Sequence, residues 1–150
     1  MKKNIKFALL AVVTPFIFAC KGGDFENKVS SNGDTESHNA GQNCMACHSK
    51  QGGVEGWFET AGTVYSVGLV DIYANTAVKL YTGPNGTGTL KYTLEGDAKG
   101  NFYTTKRVNY DTPLYPSVTG TAGTKFMSTS ITTGNCMSCH GISTSRIWAD

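Results

Sequence analysis

The chain has 150 residues and a formal net charge of +2, with 16% charged and 39% hydrophobic residues. This length is enough for one domain with a modest core. The Lys and Arg residues form no continuous basic stripe, so the composition gives no support for nucleic-acid binding.

The first 19 residues have the pattern of a secretory signal peptide. Lys2, Lys3 and Lys6 form a basic start, and an uncharged, mostly apolar run covers residues 7–19. This pattern predicts a segment that is removed on export and takes no part in the fold. Its removal takes three residues from the 13 Lys and Arg and leaves 10, against 11 Asp and Glu. The mature chain would therefore be close to neutral.

Cys20 follows the apolar run directly, after residues 17–19, which read Ile-Phe-Ala. This arrangement resembles the lipobox of bacterial lipoproteins. The resemblance implies a diacylglycerol group on the Cys20 sulfur, cleavage before Cys20, and N-acylation. Several acyl chains give stable membrane anchoring, and Lys21 resembles a signal for sorting to the outer membrane. The alternative is an ordinary signal peptide followed by a chance cysteine.

Residues 20–37 are rich in Gly, Ser, Asn and Asp and contain few apolar residues. Such a composition buries too little apolar surface to offset the entropy of ordering the chain. We therefore expect residues 20–37 to form a lipidated, flexible tether between the membrane and the folded domain.

A five-residue pattern occurs twice, as Cys44-Met45-Ala46-Cys47-His48 and as Cys136-Met137-Ser138-Cys139-His140. Cys-x-x-Cys-His is the attachment signature of a c-type haem. One short helical turn brings two thiols to the spacing of the two porphyrin vinyl groups, and the histidine then becomes the proximal iron ligand. The chain therefore resembles the c-type cytochromes. The resemblance implies two covalently bound haem c groups, with thioether bonds from Cys44, Cys47, Cys136 and Cys139 and iron bonds from His48 and His140.

Two other readings of the cysteines stay open. Paired Cys-x-x-Cys units can form a four-cysteine zinc site, although the two pairs lie far apart and zinc gives no reason for the following histidines. Two redox-active dithiols are also possible, but the strand–helix context of such sites is not evident. Outside the two motifs the chain has only Cys20, so no disulfide framework is expected.

Between the motifs, the pattern favours short strands. Residues 77–81 and 89–94 alternate between apolar and polar side chains, and the turn between them contains Asn85-Gly86. Further strand-like segments are expected at 63–65, 67–70, 101–105 and 115–119. We predict a mainly β fold: an antiparallel β-sandwich over residues 57–120. It would be flanked by two short haem-binding segments with short helical turns, residues 38–56 and 121–150.

The segments 61–65, 77–80 and 96–102 resemble the carboxypeptidase regulatory-like family, over about residues 58–108. The resemblance implies a transthyretin-like β-sandwich with a structural or adhesive role. Neither flanking segment is long enough to bury a porphyrin alone, so each must pack on the sandwich or on the other haem. We therefore expect the two haems to lie close together, near one end of the sandwich.

One histidine and one methionine, His38 and Met127, lie outside both motifs and the signal segment. They are therefore the candidates for the second axial ligands of the two irons. We expect each to serve the nearer motif, although each could cross to the other. The alternatives are a solvated linker residue for His38 and a core gap-filler for Met127. Methionine ligation raises the reduction potential relative to two histidines, so the two haems would differ in potential.

These features together predict a dihaem c-type cytochrome lipoprotein, exported and anchored by its lipid at the outer membrane. It would relay single electrons between other redox proteins, namely cytochromes that act as donor and acceptor. No paired carboxylates or nucleophile–base arrangement suggest an enzyme. Two alternatives remain: a peroxidase-like enzyme or gas sensor with an open iron, and an adhesive or scaffolding haem lipoprotein in a larger electron-transfer assembly.

Overall fold

The computed structural model of the protein describes residues 27–50 and 56–150. The predicted signal peptide and Cys20 lie outside these residues. Within the described ranges, no helix is both long enough and apolar enough to cross a membrane.

Strands dominate the described part of the chain. They are β1 (Thr60–Ser66), β2 (Ala77–Tyr81), β3 (Leu90–Glu95), β4 (Asn101–Thr104), β5 (Tyr115–Thr119), β6 (Thr124–Phe126), β7 (Gly134–Asn135) and β8 (Ile147–Ala149). The helical elements are one α-helical turn, α1 (Cys44–Cys47), and the 3-10 turns Pro84–Gly86 and Cys136–Ser138. The predicted mainly β fold is confirmed.

The strands form two four-stranded sheets. In one sheet, β1 pairs antiparallel with β4 along one edge and parallel with β7 and then β8 along the other. The second sheet has the antiparallel order β3-β2-β5-β6. The first sheet is therefore mixed, and not purely antiparallel as predicted. After β6 the chain returns to β1, and both β7 and β8 run in the same direction as β1. The pairings of β1 with β7 and with β8 are therefore parallel.

One hydrophobic core joins the two sheets. Val64 of β1 and Phe102 of β4 belong to the same buried cluster as Val78, Leu80 and Val118 of the second sheet. In β2 only Val78 and Leu80 are fully buried and their neighbours are half-buried, the alternation expected of a strand with one face on a core. β1 is buried over almost its whole length, because it lies inside its sheet with packing on both faces.

The sequence pattern located β2 and β5 correctly and failed at residues 67–70. These residues form a turn, in which Leu69 has φ 59° and donates its backbone N–H to the Ser66 carbonyl oxygen at 2.8 Å. Val67 and Val70 are 64% and 75% exposed. Their β-branched side chains suggested a strand, but the hydrogen bond from Ser66 N–H to the Asp71 carbonyl oxygen closes the chain into a loop.

Residues 28–37, within the described part of the tether predicted for residues 20–37, lie against the sandwich and do not stand apart from it; residues 20–26 lie outside the described ranges. The Ser30 hydroxyl donates to the Glu95 carbonyl oxygen at 2.6 Å and accepts the Tyr103 N–H at 2.8 Å. Further along, Lys99 Nζ donates to the Ser37 carbonyl oxygen at 2.7 Å. The small polar residues that suggested disorder thus find hydrogen-bond partners at strand ends.

The second predicted haem segment, residues 121–150, is part of both sheets. β6 pairs with β5, while β7 and β8 pair with β1. The second Cys-x-x-Cys-His motif therefore lies in a loop held at both ends by strands that share one partner.

Candidate functional site

The first motif forms a single helical turn, as the spacing of its cysteines predicts. Cys44 and Cys47 are the first and last residues of α1. The His48 N–H donates to the Cys44 carbonyl oxygen at 2.8 Å, which places the histidine directly after the turn. The Cys44 Sγ lies 3.6 Å from the Gln42 carbonyl oxygen.

The second motif repeats this arrangement. Cys136 begins the 3-10 turn Cys136–Ser138, and Cys139 follows it as the C-cap. The His140 N–H donates to the Cys136 carbonyl oxygen at 3.1 Å, and the Cys136 Sγ lies 3.5 Å from the Gly134 carbonyl oxygen. Both pairs of thiols therefore lie on a short turn that a histidine follows.

Both histidines are oriented by a backbone carbonyl. His48 Nδ1 lies 3.0 Å from the Gly56 oxygen, and His140 Nδ1 lies 2.7 Å from the Ser145 oxygen. A carbonyl oxygen can only accept a hydrogen bond, so Nδ1 carries the proton in each ring. In the neutral imidazole, Nε2 then keeps its lone pair. A hydrogen bond of this kind usually fixes the orientation of a metal-binding histidine ring.

Strand β1 passes between the two motif segments. A side-chain carbon added at Gly62 would lie 3.2 Å from the Cys136 Cβ. The neighbouring Thr63 hydroxyl instead accepts the Gly41 N–H at 2.9 Å. Successive residues of a strand face opposite sides, so the two segments pack on opposite faces of β1.

The first cysteine of each motif is shielded from water. Burial raises the pKa of the Cys44 thiol above its ordinary value. Burial also raises the pKa of Cys136 to about 12, and the nearby Cys44 adds to this rise because two neighbouring thiolates repel. Both thiols are therefore less acidic than the thiol of an exposed cysteine.

The first motif lines a cavity of about 200 Å³, together with the candidate ligand His38. The ring centroids of His38 and His48 are 5.8 Å apart. Two imidazoles that bind one metal through nitrogen at about 2.0–2.1 Å bring their centroids to roughly 6 Å. The centroid separation of the two rings therefore suits two imidazoles on one iron, while the cavity is small and would leave much of a porphyrin outside it.

Aromatic stacking holds the first proximal histidine. Phe58 stacks on the His48 ring with centroids 4.3 Å apart, and Phe58 also stacks on Tyr103 at 4.7 Å. The Phe58 N–H donates to the His48 carbonyl oxygen at 2.9 Å. The His48 ring is therefore held by its own turn and, through Phe58, by Tyr103 of β4.

The second motif lines a larger cavity, of about 670 Å³, which lies within the usual range of about 300–1,000 Å³ for small-molecule sites. Core residues from both sheets form its apolar wall, and Met127 lies on it with Cys136, Cys139 and His140. His38 and Met127 therefore each share a cavity with the nearer motif.

The charged residues on the wall of this second cavity are Lys125 and Arg146, and among the described residues that form the wall there is no carboxylate. Both cations already have partners. Lys125 Nζ lies 3.1 Å from an Asp150 carboxylate oxygen, and the Arg146 guanidinium lies over the Tyr65 ring at 4.5 Å. An apolar cavity with cations at its wall fits a large apolar group that carries carboxylates, as haem does.

Two residues of these sites were not singled out from the sequence. Asn43 and Asn135 come directly before Cys44 and Cys136, and each lines the cavity of its own motif. Their Oδ1 atoms are buried without a hydrogen-bond partner among the described residues. The signal was present in the sequence, because both motifs read Asn-Cys-Met-x-Cys-His.

Within residues 27–50 and 56–150, no three His, Cys, Asp or Glu side chains come together as a metal-binding group. A structural zinc site needs four such ligands. A haem iron needs only one or two side chains, because the porphyrin supplies the other four nitrogens.

Comparison with known proteins does not assign the chain to a family. No family model matches it, and neither a curated protein nor a solved structure is significantly similar to it.

Proposed function

We propose that the protein is a dihaem c-type cytochrome that relays single electrons at the bacterial cell envelope. The observation that carries this proposal is the shared geometry of the two motifs. In each, two thiols lie on one short turn and the following histidine donates Nδ1–H to a backbone carbonyl. A chance Cys-x-x-Cys-His sequence gives no reason for two histidines to be oriented alike.

Each residue of the motifs has a defined task in this proposal. Cys44 and Cys47 hold the first haem and Cys136 and Cys139 the second, each thiol adding its sulfur to one vinyl carbon and its hydrogen to the other. His48 and His140 present Nε2 to the irons. Bound haem supplies a reversible one-electron couple between ferric and ferrous iron.

The two cavities support His38 and Met127 as the candidates for the second ligands of the two irons. His38 faces the first site across 5.8 Å between ring centroids, and Met127 lines the second cavity. With these ligands the two sites differ in potential, because a thioether favours ferrous iron more than an imidazole does. The second site is then the stronger electron acceptor.

The placement of both motifs on β1 supports a relay inside one molecule. Gly62 contacts the second motif segment and Thr63 contacts the first, so the two sites lie on either side of one strand of the same fold. The same proposal includes export, a lipid anchor on Cys20 at the outer membrane, and other cytochromes as redox partners.

One observation favours a second candidate, a peroxidase-like enzyme or gas sensor. The His38 side chain is exposed, and the ring would have to stay in place for the first iron to be closed. An open first iron would offer a site for peroxide or a gas molecule.

Carbon monoxide binding to the reduced, haem-loaded protein separates these functions. The relay predicts no change in the visible spectrum within minutes of adding carbon monoxide, because both irons have two protein ligands. Rapid binding of one equivalent would favour the enzyme or sensor. If the wild type does not bind carbon monoxide, His38→Ala should bind one equivalent, because the first iron has lost its second protein ligand. A His38→Ala variant that still binds none would show that His38 is not that ligand.

A further inference from the structure

Four exposed cationic residues lie at one end of the sandwich, where β4 ends. They are Lys28, Lys50, Lys106 and Arg107, and we call them the basic end. The Thr105 N–H donates to the Lys28 carbonyl oxygen at 2.8 Å, and the Lys28 N–H donates to the Thr105 hydroxyl at 2.7 Å. Lys106 and Arg107 follow Thr105 in the chain. Three of the four cations are therefore neighbours at this point of the fold.

Lys50 belongs to the same end, because it lines one surface cavity of about 520 Å³ together with Thr105 and Arg107. The carboxylates on the wall of this cavity, among the described residues, are those of Glu59 and Asp111. Lys50 Nζ lies 3.3 Å from Glu59 Oε1, and the Lys50 side chain is still 69% exposed. The four cations and these two acids together carry a net charge of +2.

The other end of β4 has the opposite balance of charge. The loop 96–100 precedes β4, and its Ala98 N–H donates to the Asp34 carbonyl oxygen at 2.9 Å. Asp34 and Glu36 are exposed there, beside the single cation of Lys99, whose Nζ donates to the Ser37 carbonyl oxygen at 2.7 Å. Positive and negative charges are thus separated along the sandwich.

The chain that leads back to Cys20 joins the sandwich at the basic end, since Lys28 is the second described residue. Residues 20–26 are seven residues, and at about 3.3–3.6 Å per residue they span at most about 25 Å. A lipid on Cys20 therefore holds the basic end within about that distance of the membrane surface. Lys and Arg side chains beside an anionic membrane surface are attracted to it.

We infer that the basic end binds the phosphate groups of anionic lipids in the membrane that carries the Cys20 anchor. Lysine and arginine both donate charge-assisted hydrogen bonds to phosphate oxygens. The inference rests on the proposed function, because it needs the lipid on Cys20. It goes further by naming the surface that faces the membrane. The loop 96–100 then faces away from the membrane, where redox partners can reach it.

The test is a modification experiment on the lipidated, haem-loaded chain in vesicles of phosphatidylcholine, with and without phosphatidylglycerol. A water-soluble acetylating reagent is added, and mass spectrometry gives the rate at each lysine. Phosphatidylglycerol should slow the reaction of Lys28, Lys50 and Lys106 roughly three- to tenfold, because their amines lie against phosphates. The rates at Lys79 and Lys99, away from the basic end, are the internal controls and should not change. Salt at about 1 M, which reduces the Debye length to about 3 Å, should restore the faster rates.

A double substitution tests whether the charges themselves cause this protection. Lys28→Gln/Lys106→Gln removes two of the four cations and should abolish the protection of Lys50 on phosphatidylglycerol vesicles. Lys79→Gln/Lys99→Gln removes the same charge elsewhere and is the matched control, in which Lys50 should stay protected.

Equal reaction rates on both kinds of vesicle would overturn the inference, because the basic end would then face water or a protein partner. Protection of Lys50 that survives either high salt or Lys28→Gln/Lys106→Gln would also overturn it, since charge would not be the cause. Intact mass separates these failures from failure of the proposed function. A chain without acyl groups on Cys20 rejects the anchor and this inference together. A lipidated chain with two haems and unprotected lysines rejects this inference alone.

Discussion

Gly62 lies directly against Cys136: a side-chain carbon added at Gly62 would be 3.2 Å from the Cys136 Cβ and 2.6 Å from Phe102 Cζ. Both distances are shorter than ordinary van der Waals contact. The second motif therefore reaches β1 because this position of the strand has no side chain. The phenyl ring of Phe102, which is 1% exposed, closes the space from the other side.

Gly62→Ala should weaken the packing of the second motif on β1. The added methyl group must displace Phe102 or Cys136, and overpacking of this kind costs about 1–3 kcal/mol of unfolding free energy. Gly68→Ala is the matched control, since an added carbon there meets nothing within 4 Å. Urea unfolding of both variants measures the difference, and an equal loss in the two would contradict the close approach at Gly62.

The contact of residues 28–37 with the sandwich predicts an effect at Ser30. Its side chain is 2% exposed and takes part in hydrogen bonds with Glu95 and Tyr103. Ser30→Ala leaves these groups unpaired and should lower the unfolding free energy by about 1–3 kcal/mol. Ser31→Ala, at an exposed neighbour, should change it by less than about 0.5 kcal/mol. Equal, small effects would mean that the segment is a free tether after all.

Much of the sandwich follows from local pattern, and most of the site does not. The strands β2 and β5 have the predicted bounds, because alternation and flanking turns are properties of a few neighbouring residues. The parallel pairing of Trp148 with Tyr65 joins residues more than eighty positions apart, so no local pattern predicts it. The hydrogen bonds of Ser30 with Glu95 and Tyr103 also join residues far apart in sequence, so local pattern does not predict them either.

For the site, spacing predicted the helical turns, and elimination left His38 and Met127 as the candidate second ligands. Sequence could not show that Phe58 would stack on His48, since that contact depends on where β1 begins. Nor could it show that the Asn135 Oδ1 atom would be buried without a hydrogen-bond partner among the described residues. The burial of this atom depends on the sheet around β7. The repeated Asn-Cys-Met pattern shows only that asparagine occupies the same position in both motifs.

Tyr110 predicts a loss of stability at alkaline pH. Its hydroxyl lies 2.7 Å from the Thr60 hydroxyl, and burial raises the pKa of Tyr110 well above its ordinary value. The folded state therefore holds the phenol proton to higher pH than the unfolded state does. This contribution to stability is complete below the ordinary tyrosine pKa of about 10 and is lost as the pH rises above it.

Tyr110→Phe should accordingly flatten the fall in unfolding free energy above pH 10, while costing about 1 kcal/mol at pH 7 through the lost hydrogen bond. In the haem-loaded protein the motif thiols are consumed and do not contribute to the curve. Tyr81→Phe, at a half-buried position in β2, is the control and should keep the wild-type slope. An unchanged slope in Tyr110→Phe would show that the phenol ionises freely.

Met127 is expected to close the second iron. Met127→Leu keeps the apolar volume and removes the sulfur, so stability should change by less than about 1.5 kcal/mol. The far-red methionine–iron band of the ferric protein should vanish, and the potential of one haem should fall. Met45→Leu, inside the first motif, is the matched control and should retain the band. A band that survives in Met127→Leu would remove Met127 from the ligand set.

We expect each motif to carry one covalent haem, and intact mass combined with haem absorbance measures this number. The protein is produced with the machinery that attaches haem to exported cytochromes. The wild type should carry two haems, Cys44→Ser/Cys47→Ser one, and Cys136→Ser/Cys139→Ser one. A wild-type chain that carries no covalent haem under conditions that load a known cytochrome, or that binds zinc at its cysteines instead, would contradict the account.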